Sequence, residues 1–125
     1  EGYRSSYSQQ KILDNRTDYY KSKGLFTILA RRYALNYVSA PGTSEHQLGL
    51  AVDIVGDYRY TTNQSAYRWL ERNAYKYGFV KRYPKSKTSI THIKHEPWHY
   101  RYVGKKAALK MHQKNLCLEE YVESL

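Results

Sequence analysis

The chain is 125 residues long, with a formal net charge of +10, 41% hydrophobic residues and 15 tyrosines. That length suits one domain with a core of its own, and the hydrophobic share argues against disorder. The single cysteine, Cys117, excludes both an intrachain disulfide and a thiolate metal site.

No apolar run approaches the ~20 residues of a membrane span. The basic excess implies attraction to polyanions. Its residues (Arg31-Arg32, Lys81-Arg82, Lys85, Lys87, Lys105-Lys106) are scattered and form no compact arm. Non-specific attraction to an anionic wall or membrane surface therefore ranks ahead of a specific nucleic-acid site. The chain opens at Glu1-Gly2-Tyr3-Arg4-Ser5 without an initiator methionine or a legible signal peptide. A fragment or processed form is expected, its preceding segment being where a signal or anchor would lie.

In chain order, residues 6–20 read as a weak helix, with Ile12 and Leu13 apolar among polar neighbours. Residues 25–37 follow Gly24 as a second helix, with Leu25, Ile28, Leu29, Arg32 and Tyr33 near one face. Ala40-Pro41-Gly42-Thr43 is turn chemistry. The β-branched apolar run 49–55 reads as a buried strand. Thr61-Thr62-Asn63 can cap a helix to about Tyr77, striped by Ala66, Tyr67, Leu70, Ala74 and Tyr77 and stopped by Gly78. Residues 79–83 form a strand ended by Pro84. Residues 89–94 and 98–103 look like two further strands, and residues 105–112 a terminal helix. The expected fold is α+β, one domain over residues 1–125, with a small antiparallel sheet flanked by helices.

Two segments carry the chemistry. The first is Ser44-Glu45-His46-Gln47-Leu48-Gly49-Leu50-Ala51-Val52-Asp53, the second His95-Glu96-Pro97-Trp98-His99. His46, Asp53 and His99 are the protein share of an open hydrolytic Zn2+ site, whose fourth position is left for water. Glu96 can stand beside that water and accept its proton.

His46 and Asp53 are seven positions apart, so one straight strand would aim them at opposite faces. Gly49 offers the break, with His46 on a loop and Asp53 on the strand. An acid within an apolar strand is costly unless paired or metal-bound, which favours Asp53 as a ligand. Pro97 lacks a backbone donor and should kink its strand, letting Glu96 and His99 converge despite opposite parity. Bland alternatives stand beside these roles. Glu96 can be the ion-pair partner of a nearby lysine, and His92, His95 and His112 read as structural or solvent-facing. His95 is also near enough to support the site from behind.

Both segments fit a known pattern, SxHxxGxAxD followed by ExWH, and the chain resembles the VanY-type D-alanyl-D-alanine and L,D-carboxypeptidases. The wider family (peptidase family M15) includes VanX dipeptidases, VanXY enzymes and phage endopeptidases. Gly2-Tyr3-Arg4-Ser5 with Gln9, Tyr77-Gly78-Phe79, Arg82-Tyr83-Pro84 and Arg101-Tyr102-Val103-Gly104 extend the resemblance over nearly the whole chain. It implies a Hedgehog/DD-peptidase-like fold, His46, Asp53 and His99 as zinc ligands, and Glu96 as general base.

The resemblance also makes Arg4 the cation that stabilises the tetrahedral oxyanion, with an ordinary salt bridge as the alternative. Ser44 matches a substrate-contacting serine or else orients His46. Gln9 is a pocket candidate, and Trp98 walls the site or fills core. The implied reaction removes the terminal D-alanine from a peptidoglycan stem peptide or precursor. L,D-cleavage of tetrapeptides, a bifunctional dipeptidase/carboxypeptidase and a non-catalytic zinc module remain alternatives. A monomer is expected, in the bacterial cell envelope outside the membrane, or alternatively in the cytoplasm acting on precursors.

Overall fold

The first helix, α1 (Ser6–Ser22), owes its start to Ser5, whose hydroxyl accepts the Ser8 N–H at 3.2 Å. The computed structural model describes residues 1–125. They group into two compact units, residues 3–49 and residues 1–2 with 50–125.

In the unit 3–49, α1 buries Gln9, Leu13 and Thr17, a stripe at helical spacing with a single apolar member. That explains its weak hydropathy signal. Leu13 is fully buried, and Thr17 Oγ1 donates to the Leu13 carbonyl at 2.8 Å. The second helix, α2 (Thr27–Ala34), buries Ala30 and Ala34 and is shorter at both ends than the sequence pattern suggests. Leu13, Ala34 and Val38 form the core of this unit, with Ile12 and Tyr20 packed around them.

The second unit holds a three-stranded antiparallel sheet of β1 (Ala51–Asp53), β2 (Phe79–Tyr83) and β3 (Glu96–Tyr102), in the order β1-β3-β2. Ala51, Val52 and Asp53 face Arg101, Tyr100 and His99 in register. On the other side of β3, Lys81 pairs with Tyr100 and Tyr83 with Glu96. Two steps along β2 thus match four along β3, and the irregularity falls between Glu96 and Tyr100, a stretch that begins with Pro97. The kink read from the proline is present, inside the strand rather than at its edge.

One face of the sheet is covered by α3 (Asn63–Asn73), in a cluster of Leu70, Ala74 and Tyr100 with Val52, Ile54, Tyr67 and Phe79. Thr62 caps this helix by accepting the Ser65 N–H at 3.2 Å. The chain continues through a 3₁₀ turn, Ala74–Tyr77, and stops at Gly78, where φ is +89° and a Cβ would meet the Tyr102 ring at 2.8 Å. Helix α5 (Lys105–Lys114) follows β3 and packs Ala108 and Met111 on Val80.

Residues 89–94, expected as a strand, depart from that reading. Thr88–Thr91 form a single helical turn, α4, closed by His92 in the left-handed conformation at φ +57°. The chain leaves Pro84 through a 3₁₀ turn at Lys85–Lys87, and this local winding overrides the β-branched residues that follow. A sixth helix, α6 (Leu118–Glu123), was not anticipated. It is too short to show periodicity, and charge holds it: Arg82 pairs with Glu119 at 2.7 Å and Lys87 with Glu120 at 2.8 Å. No helix is long and apolar enough to cross a membrane.

The α6 ion pairs set an acid limit. The Lys87 ammonium, then the Cys117 N–H, hold the Glu120 carboxyl down to about 2. Burial opposes ionisation of Glu119, but the Arg82 guanidinium and the residue's own N–H outweigh it and its pKa is lowered as well. A lowered folded pKa gives stability that is present above the unfolded value of 4.5 and is lost as pH falls through the folded one. The urea midpoint of Glu120→Gln should therefore lie below wild type at neutral pH, and the gap should close between pH 4.5 and about 2. A gap that persists unchanged at pH 2 would refute the electrostatic anchor.

Candidate metal centre

Asp53 and His99 stand directly opposite each other on β1 and β3. Facing residues of an antiparallel pair share one side of the sheet with Cβ atoms about 5 Å apart. The Asp53 side chain therefore reaches His99 without strain, and its Oδ1 lies 3.2 Å from His99 Nδ1. Glu96 arrives from the far side of the Pro97 irregularity, with Oε2 3.6 Å from the same nitrogen. Without the extra residues of the bulge, Glu96 and His99 would point to opposite faces. His99 is buried, and its ring tilts over Tyr83 at 5.1 Å between centroids. The Asp53 N–H donates to the Glu1 carbonyl at 2.7 Å, fixing the end of β1.

His46 sits in a 3₁₀ turn, Glu45–Leu48, ended by Gly49 at φ +69°. The break expected at Gly49 is real: His46 is on a turn and Asp53 on the strand. His46 is buried, and its carbonyl accepts the Arg4 N–H at 3.0 Å. Arg4 Nη1 in turn donates to Gln9 Oε1 at 2.8 Å, while Gln9 Nε2 donates to the Ser39 carbonyl at 2.6 Å. Gln9 is almost wholly buried, with both ends of its amide engaged. Its carbonyl oxygen thereby orients the Arg4 guanidinium. Ser44 is buried at the start of the 3₁₀ turn and makes no side-chain capping bond there. Trp98, at 36% exposure, is not core filler.

His46, Asp53 and His99 each offer one ligand atom, and the three atoms lie within 4.8 Å of one another. Ligand bonds of about 2.0–2.2 Å in a tetrahedral site place neighbouring ligand atoms roughly 3.3 Å apart. The Asp53–His99 separation of 3.2 Å already meets that condition. Two imidazoles and a carboxylate are also a donor set that zinc accepts while keeping one position open. The residues fit the ion.

The remaining histidines make other contacts. His95 Nδ1 contacts the Tyr83 carbonyl at 3.1 Å, His112 stacks on Tyr75 at 3.8 Å, and His92 closes α4. Tyr83, whose ring flanks His99, was not singled out from the sequence as a site residue. Its signal lay in Arg82-Tyr83-Pro84, read only as a family segment.

Residues 1–105 match the family model described as VanY: D-alanyl-D-alanine carboxypeptidase. The chain belongs to this family. A D-alanyl-D-alanine carboxypeptidase of Enterococcus faecalis is 51% identical over 123 residues, which is 98% of this chain and 46% of that protein. The chain thus spans about half the length of this VanY-family relative. Two solved structures are similar over most of the fold. VanYB in complex with D-alanine-D-alanine has a TM-score of 0.96 at 51% identity, covering 99% of this chain and 68% of that one. A mutant of the vancomycin resistance D,D-pentapeptidase VanY, in complex with Zn(II), has a TM-score of 0.94 at 52% identity, covering 98% and 68%.

Ligand removal should show in metal affinity directly. His46→Ala, Asp53→Ala and His99→Ala are each expected to weaken zinc binding by more than about 100-fold, since even outer-layer partners cost 10–100-fold. Competition with a chromophoric chelator measures this. Wild-type affinity in any of the three would remove that residue from the site.

Proposed function

We propose that this chain is a zinc-dependent D,D-carboxypeptidase that removes the terminal D-alanine from peptidoglycan stem peptides or their precursors. The observation that carries the reading is Glu96, held 3.6 Å from a nitrogen of His99 beside a complete His-Asp-His ligand set. A purely structural metal site has no use for a carboxylate at that place. Two findings support the substrate class: a relative is named D-alanyl-D-alanine carboxypeptidase, and the similar VanYB structure is a complex with D-alanine-D-alanine.

Zinc bound by His46, Asp53 and His99 would supply Lewis acidity, bringing the pKa of a water toward ~7 and polarising a carbonyl oxygen. Glu96 takes a proton from the attacking water as its oxygen adds to the scissile carbonyl carbon. Arg4 balances the negative charge that develops on the carbonyl oxygen, a kind of contribution usually worth about 3–4 kcal/mol of barrier. Gln9 holds the Arg4 guanidinium in one orientation, so its role is positioning. Glu96 then passes the proton to the departing amine as the C–N bond breaks. The products are a shortened peptide carboxylate and free D-alanine, and no acyl-enzyme forms. Ser44 and Trp98 are assigned to the substrate side of the site. Stem peptides lie outside the membrane, so the envelope is the proposed location.

The test is D-alanine release from muramyl pentapeptide and tetrapeptide, side by side, with and without a zinc chelator. Chelator-sensitive release from pentapeptide is expected, unaffected by β-lactams. Glu96→Gln should lower kcat by about 10²–10⁴-fold with zinc still bound. Release from tetrapeptide alone would overturn the D,D-assignment. No release from either, with zinc demonstrably bound, would sink the carboxypeptidase reading.

A further inference from the structure

Phe26 and Ile28 stand further into solvent than any other large apolar side chains of the chain, each 88% exposed. They occupy the start of α2, just past the α1–α2 turn at Lys23 and Gly24. The face of α2 that packs inward is Ala30 and Ala34. Phe26, Leu29 and Tyr33 follow one another at helical spacing on a different stripe, and Leu29 and Tyr33 are 42% and 46% exposed. Tyr19, at the end of α1, is half exposed. The rings of Tyr33 and Tyr19 meet Tyr20 at 5.7 and 5.3 Å, whereas Phe26 and Ile28 project into solvent.

Charge around the tip is one-sided. Between residues 15 and 37 the cations are Arg16, Lys21, Lys23, Arg31 and Arg32, and the lone acid is Asp18. Asp18 makes only an exposed pair with Lys21 at 3.6 Å. Lys23 lies over the Tyr19 ring at 5.5 Å, and Arg16 over the Tyr37 ring at 5.4 Å. Cations and tyrosines therefore alternate around an aliphatic and aromatic tip.

A partner for this surface must accept bare hydrocarbon at the tip, phenols around it and positive charge at the rim. A polyanionic glycan or nucleic acid answers the charge but offers nothing to Ile28. An anionic lipid surface answers all three. Its acyl boundary takes Phe26 and Ile28, its interface takes tyrosine rings, and its headgroups attract the lysines and arginines. We infer that the α1–α2 turn docks on anionic bilayers, with Phe26 and Ile28 entering the acyl boundary and Lys21, Lys23, Arg31 and Arg32 facing the headgroups. This surface stands on observations independent of the metal centre, so it survives or fails whatever the enzyme assay returns.

Co-sedimentation of the chain with phosphatidylcholine vesicles, with and without phosphatidylglycerol, tests it. Binding is expected only with phosphatidylglycerol and should fall as salt rises. F26S/I28S should lower the partition coefficient by about a hundredfold or more, since each large apolar side chain contributes at least about tenfold when buried. R31Q/R32Q should lower it by roughly fivefold per charge. Both pairs are at the surface, so circular dichroism should match wild type. Phe26→Trp supplies a second readout, a blue-shifted emission on adding the anionic vesicles. No binding to anionic vesicles would overturn the proposal. So would undiminished binding by F26S/I28S, or Phe26→Trp emission that does not move. A concentration-dependent dimer that F26S/I28S dissolves, without vesicle binding, would reassign the patch to a second copy of the chain.

Discussion

The antiparallel pairing of Asp53 with His99 is the constraint on which the metal centre depends. Backbone hydrogen bonds between β1 and β3 set that register, and the register sets which side chains share a face. A slip of one residue would turn Asp53 to the side packed on α3, where Val52 and Tyr100 now sit among Leu70 and Ala74. Tyr100 is almost wholly buried there, so a slip would also strip a large ring from its packing. Core burial on one face of β3 thus pays for the precise placement of ligands on the other.

The site gathers negative charge and then answers it. Asp53 Oδ1 and Glu96 Oε2 lie 3.2 and 3.6 Å from one imidazole nitrogen, an arrangement two carboxylates resist without a nearby cation. A divalent ion held by His46, Asp53 and His99 would add positive charge there, and zinc's preference for mixed nitrogen and oxygen ligands matches what the chain presents. Glu96, paired with Tyr83 beyond the irregularity, comes within 3.6 Å of His99 Nδ1, where the proposed mechanism uses it for proton transfer. Arg4 is steadied independently, by the His46 carbonyl at its backbone and by Gln9 at its guanidinium.

Much of this was legible in the residues. An acid within the apolar run 49–55 pointed to Asp53, which stands in the His-Asp-His group that could hold a metal, Gly49 signalled the break before it, and Pro97 signalled the irregularity beside His99. The resemblance to VanY-type enzymes tied those local signs together. Other features were hidden for physical reasons. Gln9 looks like any polar residue of α1, and only the fold reveals that it is buried with its amide spent at both ends. Thr88, Ile90 and Thr91 have strand propensity, but the turn after Pro84 leaves them wound into α4. Helix α6 has six residues, too few for a periodic pattern, and depends on charges from Arg82 and Lys87 far away in sequence. Propensity reads the preference of single residues, whereas the preceding turn decides α4 and tertiary partners decide α6.

The most direct test of the metal centre is diffraction from zinc-loaded crystals, with data collected on both sides of the zinc absorption edge. One anomalous peak is expected, about 2.0–2.2 Å from an imidazole nitrogen of His46, an imidazole nitrogen of His99 and a carboxylate oxygen of Asp53. Glu96 should stand close by without ligating. A peak elsewhere, for example at His95 or His112, or one that takes Glu96 as a ligand in place of Asp53, would contradict the assignment of ligands and base.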